Sequence, residues 1–384
     1  MGGGVAYDSR FVCVRPALFG RSPLGLSAFV WLLLLASVVP PAHAGAGIKS
    51  DEQVLFYPAL ARQRVGGWDL QVDGLVYEPE RHRILSEWVR RLLGFDEEEL
   101  TKAERALFRE RIGYFMVDNE RDKEIRVRAG PKVFRLGRSQ ANGHFSGRWR
   151  WPTNDATFFA WADGATNGVL RLELPLEQSH GRKEFMDVHL LGERGLSVIS
   201  DIDDTIKISQ VLEQDALLRN TFCRPFQPVP GVAARYRLWQ RNNGAQFHYV
   251  TASPWQLYAP LSAFVRSNDF PQGTFHMKEF RLKDTSALSL FSSPERYKVS
   301  VLEPLLGAFP RRSFVLVGDS GEKDPEIYGE LARRHPTQII AIFIRNVTAE
   351  DAQAPRYATA FRALPRSLWQ IFTEPSELPE RFAP

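Results

Sequence analysis

Cysteine is scarce: 384 residues hold only Cys13 and Cys223. A disulfide framework is thereby excluded, and no cysteine cluster or H-E-x-x-H stretch is present to hold zinc. The eight histidines show no ligand spacing. Net charge is also small, formally +4, with no basic stripe, so no nucleic-acid partner is expected. Internal repeats and low-complexity tracts are missing. The one long apolar run, "LGLSAFVWLLLLASVV" (24–39), falls short of the roughly 20 residues that a spanning helix needs.

That run has a clear reading. Arg10, Arg15 and Arg21 precede it, and Ala42-His43-Ala44 follows with small-x-small spacing. Together they predict a secretory signal peptide, residues 1–44, cleaved after Ala44, and hence a periplasmic or secreted protein. The unusually long stretch before the apolar run keeps an uncleaved N-terminal membrane anchor as the alternative. Once the signal is removed, Cys223 stands alone. The whole sequence is 44% hydrophobic and 24% charged, a globular composition, with length for two domains.

From about 53 to 195, short alternating stretches dominate. "GWDLQVDGLVYEP" (67–79) alternates apolar and polar residues as a half-buried strand does. "EIRVRA", "KVFRLG", "GHFSGRWRW", "ATFFAWA", "GVLRLELPL" and "EFMDVHLLG" read as further strands, separated by turns such as Asn142-Gly143 and Asn167-Gly168. Two helices interrupt them. "ERHRILSEWVRRLLGF" (80–95) spaces Ile84, Leu85, Trp88, Leu92 and Leu93 on one face, and "EELTKAERALFRERIGYFM" (98–116) carries Thr101 and Glu104 in capping-box spacing. We expect a β-rich, sandwich-like accessory domain with a helical insertion over 45–195.

From Leu196 the pattern changes. The apolar runs "LSVISD", "FHYVTAS" and "SFVLVGDS" end in small polar or acidic residues, and a fourth, "QIIAIFI", follows a helix-like segment. Strands rich in β-branched residues alternating with helices predict an α/β domain with a doubly wound parallel sheet over 196–375, then a short tail, 376–384. In such sheets ligands sit outside the carboxyl ends of the strands. Four pieces would gather there, in this order: D-I-D-D-T at Asp201–Thr205, Thr251-Ala252-Ser253, Lys298 in "ERYKVSVLEPLL", and G-D-S-G-E-K-D with Asp319 and Asp324.

These pieces resemble the haloacid-dehalogenase-type (HAD-like) phosphohydrolase superfamily, which follows D-x-D-x-T with a Ser/Thr, a Lys and an acidic pair on successive strand ends. "SDIDDTIKIS", "FHYVTASPWQLY" and "FVLVGDSGEKDPEIYGEL" are more closely similar to the catalytic domain of the actin-patch-associated phosphatidate phosphatases, relatives of the lipins, and "DVHLLGERGLSVISDIDDTIK" is similar to bacterial members. The resemblance covers the C-terminal half and implies Mg²⁺-dependent hydrolysis of phosphatidate or a related lipid phosphate through an aspartyl-phosphate. It makes Asp201 the nucleophile and Asp203 the acid/base that protonates the leaving oxygen and then takes a proton from water. Thr205 would orient Asp203. Thr251 and Lys298 would hold phosphoryl oxygens. Asp201, the backbone carbonyl of Asp203, and Asp319 would hold Mg²⁺, with Asp324 joining directly or through water. The partners implied are a phospholipid substrate and a membrane surface.

Some residues have a second reading. Lys278 and Lys207 rival Lys298. Asp324 precedes Pro325 and also fits a helix N-cap, as does Ser253 before Pro254. Asp204 has no assigned role. His248 and His276 read as packed residues. Neither gap between the motifs leaves room for a large cap domain, which favours substrates too big to be enclosed. "FCRPFQPVPGV" (222–232) is a candidate for bilayer contact or a plain surface loop. Two other functions fit the same residues: a phosphatase for soluble or protein-bound esters, and a phospholipid-binding module without catalysis. The surviving aspartates argue against the second.

Overall fold

Residues 47–79, 90, 93–95, 98–130, 132–152, 168–278 and 294–383 are described by the computed structural model of the chain. Residues 1–46, most of the first expected helix (80–95) and the strand-like "ATFFAWA" lie outside them.

Among the described residues, the alternating stretches of the N-terminal half become strands. β1 (Gln53–Phe56), β2 (Ala59–Arg64) and the 12-residue β3 (Gly67–Glu78) come first. Helix α1 (Lys102–Gly113) follows, opened by the expected Thr101–Glu104 capping box. Then come β4 (Asp118–Asn119), β5 (Glu124–Ala129), β6 (Lys132–Arg138), β7 (His144–Pro152), β8 (Val169–Glu173) and β9 (Phe185–Leu191). β3 pairs with β1 and β2 along one edge and with β7 along the other. The ladder continues from β2 to β9 in parallel, then through β8 and β5 to β6. The result is one nine-stranded sheet rather than two stacked ones. It curls until Phe134 of β6 stacks on Trp149 of β7, 5.5 Å between ring centroids. Val72, Val76, Ile125, Val127, Leu172 and Val188 fill the interior.

The C-terminal half is a six-stranded parallel sheet. Its strands are β10 (Leu196–Asp201), β11 (Gln246–Pro254), β12 (Gly273–Lys278), β13 (Ser313–Asp319), β14 (Ile339–Arg345) and β15 (Trp369–Phe372), in the spatial order β12-β11-β10-β13-β14-β15. The connections hold α2 (Gln214–Phe222), α3 (Val232–Asn243), α4 (Tyr258–Ser267), α5 (Pro294–Ala308), α6 (Asp324–Arg334) and α7 (Pro355–Ala360). Helices on both faces explain why the strand sequences are apolar throughout. Val198 packs with Tyr236 and Trp239 of α3, whereas its neighbour Ile199 packs with Leu302 of α5 and Ile327 of α6. The chain leaves β10 and β13 in opposite directions, so a crevice opens between their carboxyl ends.

The two halves share a core within the unit Gly45–Pro384. α1, although its sequence lies in the β-rich half, buries Phe108 and Ile112 in the same cluster as Phe222 of α2. Arg111 of α1 donates to Thr221 O at 2.7 Å and sits over the Phe226 ring. Tyr57 stacks on Trp255 at 3.8 Å. The last residues are not loose: Trp239 Nε1 donates to Pro379 O and Asn243 Nδ2 to Phe382 O. Between β10 and β11 the chain forms only loops, α2 and α3, so the expected lack of a large cap there holds. Among the described residues no helix is long and apolar enough to cross a membrane.

Candidate active site

Parallel pairing places the sequence-predicted residues together. β10 ends at Asp201, β11 carries Thr251 beside it (Asp201 pairs with Val250), and β13 ends at Asp319. α5 brings Lys298 across that crevice, and α6 begins with Asp324. Lys298 Nζ lies 2.8 Å from Asp201 Oδ1, 2.8 Å from Glu322 Oε2 and 2.5 Å from Asp324 Oδ1. Two of the ammonium's three N–H donors go to Glu322 and Asp324 as hydrogen bonds, and Asp201 faces it as an ion pair. The choice of Lys298 over Lys278 agrees with the geometry.

Asp324 does not cap α6. Lys323 occupies the cap position, and no side-chain cap bond forms. The Asp324 carboxylate instead turns back to the sheet, with Oδ2 accepting from Asp319 N at 3.2 Å. Gly318 makes this possible, because a Cβ there would overlap the Asp324 carboxylate. Asp319 Oδ1 accepts from Gly321 N at 2.6 Å and Glu322 N at 3.2 Å. Asp201 Oδ2 and Asp319 Oδ2 are buried without a hydrogen-bond partner among the described residues.

The electrostatics follow from this crowding. Burial pushes the Asp201 and Asp319 carboxyls well above the usual carboxylate range; Asp324 and Glu322 add to the push and Lys298 opposes it. Burial disfavours the Lys298 ammonium, but the charges of Asp201, Asp324 and Glu322 outweigh it and hold its pKa well above the ordinary value. Among the described residues, three carboxylates thus pair with Lys298, and Asp319 crowds in beside them. Asp201, Asp319 and Asp324 each offer an oxygen, all within 4.8 Å of one another. Orphaned buried carboxylate oxygens around a small space fit a hard dication that takes oxygen ligands, such as Mg²⁺.

Asp203 stands apart from that trio. Its Oδ2 accepts from Thr251 Oγ1 at 2.9 Å, and its Oδ1 accepts from Ser209 Oγ at 2.7 Å and lies 2.8 Å from Lys207 Nζ. Burial opposes its ionisation, but the Lys207 charge and the bonds from Lys207, Ser209 and Thr251 hold it below the usual range. Two expectations are corrected here. Thr205 does not orient Asp203, since its buried Oγ1 has no hydrogen-bond partner among the described residues. Thr251 gives its proton to Asp203 and accepts from Ser253 N at 3.0 Å, so its hydroxyl is not free for phosphate. Ser253 is not a helix cap either, because β11 runs on to Pro254 and α4 starts at Tyr258.

Asp204, unassigned in the sequence, builds the loop that follows. It adopts φ 54°, a left-handed conformation that Asp tolerates better than most residues. Its carboxylate accepts from Ser209 N, Gln210 N and Val211 N at 2.7, 2.9 and 2.6 Å. Arg345 Nη1 donates to its carbonyl at 2.6 Å. The packed reading of His248 is correct: it is buried with Thr274 Oγ1 at 2.7 Å and Ser197 Oγ at 3.2 Å.

Sequence reasoning missed Glu322 and Ser209, and it offered Lys207 only as a rival to Lys298 and not as the partner of Asp203. Glu322 lies in the G-D-S-G-E-K-D stretch, and an acid between two metal-type aspartates was the available signal. Lys207 and Ser209 follow the aspartates at short spacing, but only the loop's fold turns them back.

Residues 196–346 match the sequence family described as the catalytic domain of phosphatidate phosphatase APP1. The chain is 31% identical over 219 residues to phosphatidate phosphatase APP1 of Saccharomyces cerevisiae, covering 53% of this chain and 37% of that protein. It is 33% identical over 168 residues to an uncharacterized protein of Schizosaccharomyces pombe, covering 43% of this chain and 27% of that one. The chain therefore spans well under half the length of these relatives.

Proposed function

We propose that this chain, whose residues 196–346 match the phosphatidate phosphatase APP1 catalytic-domain family, is a phosphoric monoester hydrolase that acts on phosphatidate or a related lipid phosphate with Mg²⁺. One observation carries the reading: Asp201, Asp319 and Asp324 converge on one small space where Asp201 Oδ2 and Asp319 Oδ2 lack partners. The parallel sheet with these acids at its switch point supports a haloacid-dehalogenase-type fold.

Asp201, Asp319 and Asp324 would hold the ion. When bound, it neutralises phosphate charge beside these carboxylates. The chain's own residues do the rest. Asp201 attacks phosphorus, a P–O bond to Asp201 forms, and the bond to the leaving oxygen breaks as that oxygen takes a proton from Asp203. Lys298 fixes the Asp201 carboxylate through Oδ1. Asp203, held as a carboxylate by Lys207, Ser209 and Thr251, is suited to take the proton of the water that then cleaves the aspartyl-phosphate. It would return that proton to the next leaving oxygen.

A lipid substrate is supported by the similarity to the yeast phosphatidate phosphatase and by exposed apolar groups beside the site. Ile208 and Leu212 are 38% and 58% exposed on the loop anchored by Asp204. That loop pairs with the Pro-rich segment through Ile208 N to Gln227 O at 2.9 Å. This pair of loops would meet the membrane surface. Export through residues 1–44 is part of the proposal and rests on the sequence alone.

The test is phosphate release with and without Mg²⁺ from phosphatidate in mixed micelles and from a panel of soluble monoesters. Faster turnover of the lipid is expected. Preference for soluble esters would replace the lipid reading, and no Mg²⁺-dependent release from any ester would leave a binding module.

A further inference from the structure

The family match ends at residue 346, yet the loop carrying Asp319 and Glu322 is clamped from outside that span. Arg356, at the start of α7, directs its guanidinium at this loop. Nη1 donates to Ser320 O and Nη2 to Glu322 O. Nε donates to Glu326 Oε1 at 2.8 Å and Nη2 to Glu326 Oε2 at 3.1 Å, a two-pronged ion pair with the first turn of α6. Nη1 also lies 3.5 Å from Glu350 Oε2.

We propose that Arg356 is a positioning residue for the metal-binding carboxylates, an inference that rests on the Mg²⁺ reading above. The geometry gives its mechanism. The carbonyls of residues 320 and 322 are drawn to one rigid fork on the outer side of the loop. The amides of Gly321 and Glu322 then face inward, where both donate to Asp319 Oδ1. This leaves Oδ2 as the free oxygen. The same anchoring presents the Glu322 carboxylate to Lys298. The Glu326 pair fixes the first turn of α6, and hence Asp324, to the same guanidinium. One planar group therefore sets Asp319, Glu322 and Asp324 relative to each other. A lysine would supply charge but not the fork that reaches two carbonyls and both oxygens of one carboxylate.

The experiment measures Mg²⁺ binding to the full chain by titration calorimetry without substrate, for wild type, Arg356→Ala and Arg356→Lys, with thermal melting as a control for folding. Groups that orient metal ligands typically change affinity by about 10- to 100-fold. We expect at least a tenfold weaker Kd in both folded variants. For Arg356→Ala, added millimolar guanidinium should restore part of the affinity, whereas equal ammonium should not. Wild-type affinity in either folded variant overturns the proposal; if Arg356→Ala does not fold, Arg356→Lys decides alone. A wild-type chain that binds no Mg²⁺ overturns the metal reading itself and this proposal with it.

Discussion

Lys298 Nζ and Asp201 Oδ1 stand 2.8 Å apart, and both side chains are 1% exposed. A buried pair of this kind fixes its members more than it stabilises the fold. Asp201 is thereby held with Oδ1 engaged and Oδ2 free. Removing the charge of Asp201 while keeping its shape should leave the fold intact and abolish the chemistry. We expect Asp201→Asn to melt near wild type and to lose at least about 10³-fold in kcat, in line with the loss of other nucleophiles. Undiminished phosphate release would remove Asp201 from that role.

Lys298→Met tests the other side of the pair. It leaves Asp201, Glu322 and Asp324 without their shared cation. Breaking a buried ion pair costs roughly 3–5 kcal/mol. Denaturant unfolding should show a loss of about that size without Mg²⁺, and a smaller loss at saturating Mg²⁺, because a dication in the trio offsets the missing ammonium and so binds the variant more tightly than wild type. Stabilities of wild type and variant that are both unchanged by Mg²⁺ would mean that no ion enters the trio.

Asp203 is held in its charged form by Lys207, 2.8 Å away and 2% exposed. A base with a depressed pKa works down to lower pH. Lys207→Gln removes the ammonium, so the Asp203 pKa rises and the acid limb of the kcat profile, which includes the water-cleavage step, moves to higher pH. Thr205→Val, which removes a hydroxyl with no partner among the described residues, should leave the limb in place. A Lys207→Gln profile superimposable on wild type would contradict this.

The buried histidines predict the pH dependence of stability. Burial lowers the His189 pKa to about 4, with Asp187 opposing. It lowers His248 well below the ordinary value, aided by the charges of His276, Arg312 and His189. Both folded pKa values are depressed, so the unfolded chain binds protons first. Stability is fully present above about pH 6.5 and is lost as pH falls toward 4, by up to about 1.4 kcal/mol per pH unit for each histidine. Melting across pH 7 to 4 should show a steep fall that becomes shallower in His189→Asn. An unchanged slope would show that the His189 pKa is not depressed in the fold.

The sequence by itself determined the strand ends and the order of the aspartates. β-Branched runs closed by acids are read locally, and parallel pairing then brings Asp201, Thr251 and Asp319 to one edge whatever the details of the loops. The alternation of residues 67–78 and the Thr101–Glu104 cap were legible for the same reason, since each is fixed within a few residues of chain. Other assignments belong to the tertiary structure. Asp203 takes Thr251, Ser209 and Lys207 instead of Thr205, because hydrogen-bond partners are chosen by which groups packing leaves within about 3 Å. Asp204 acquires its role only once the chain turns left-handed there and three amides face its carboxylate. α1 joins the core of the other half through Phe108 and Phe222, a contact across more than a hundred residues. Arg356 reaches the acidic loop from a helix beyond the motifs, and no local pattern announces it. Local chemistry named the candidate carboxylates; long-range packing decided which cations, hydroxyls and amides hold them.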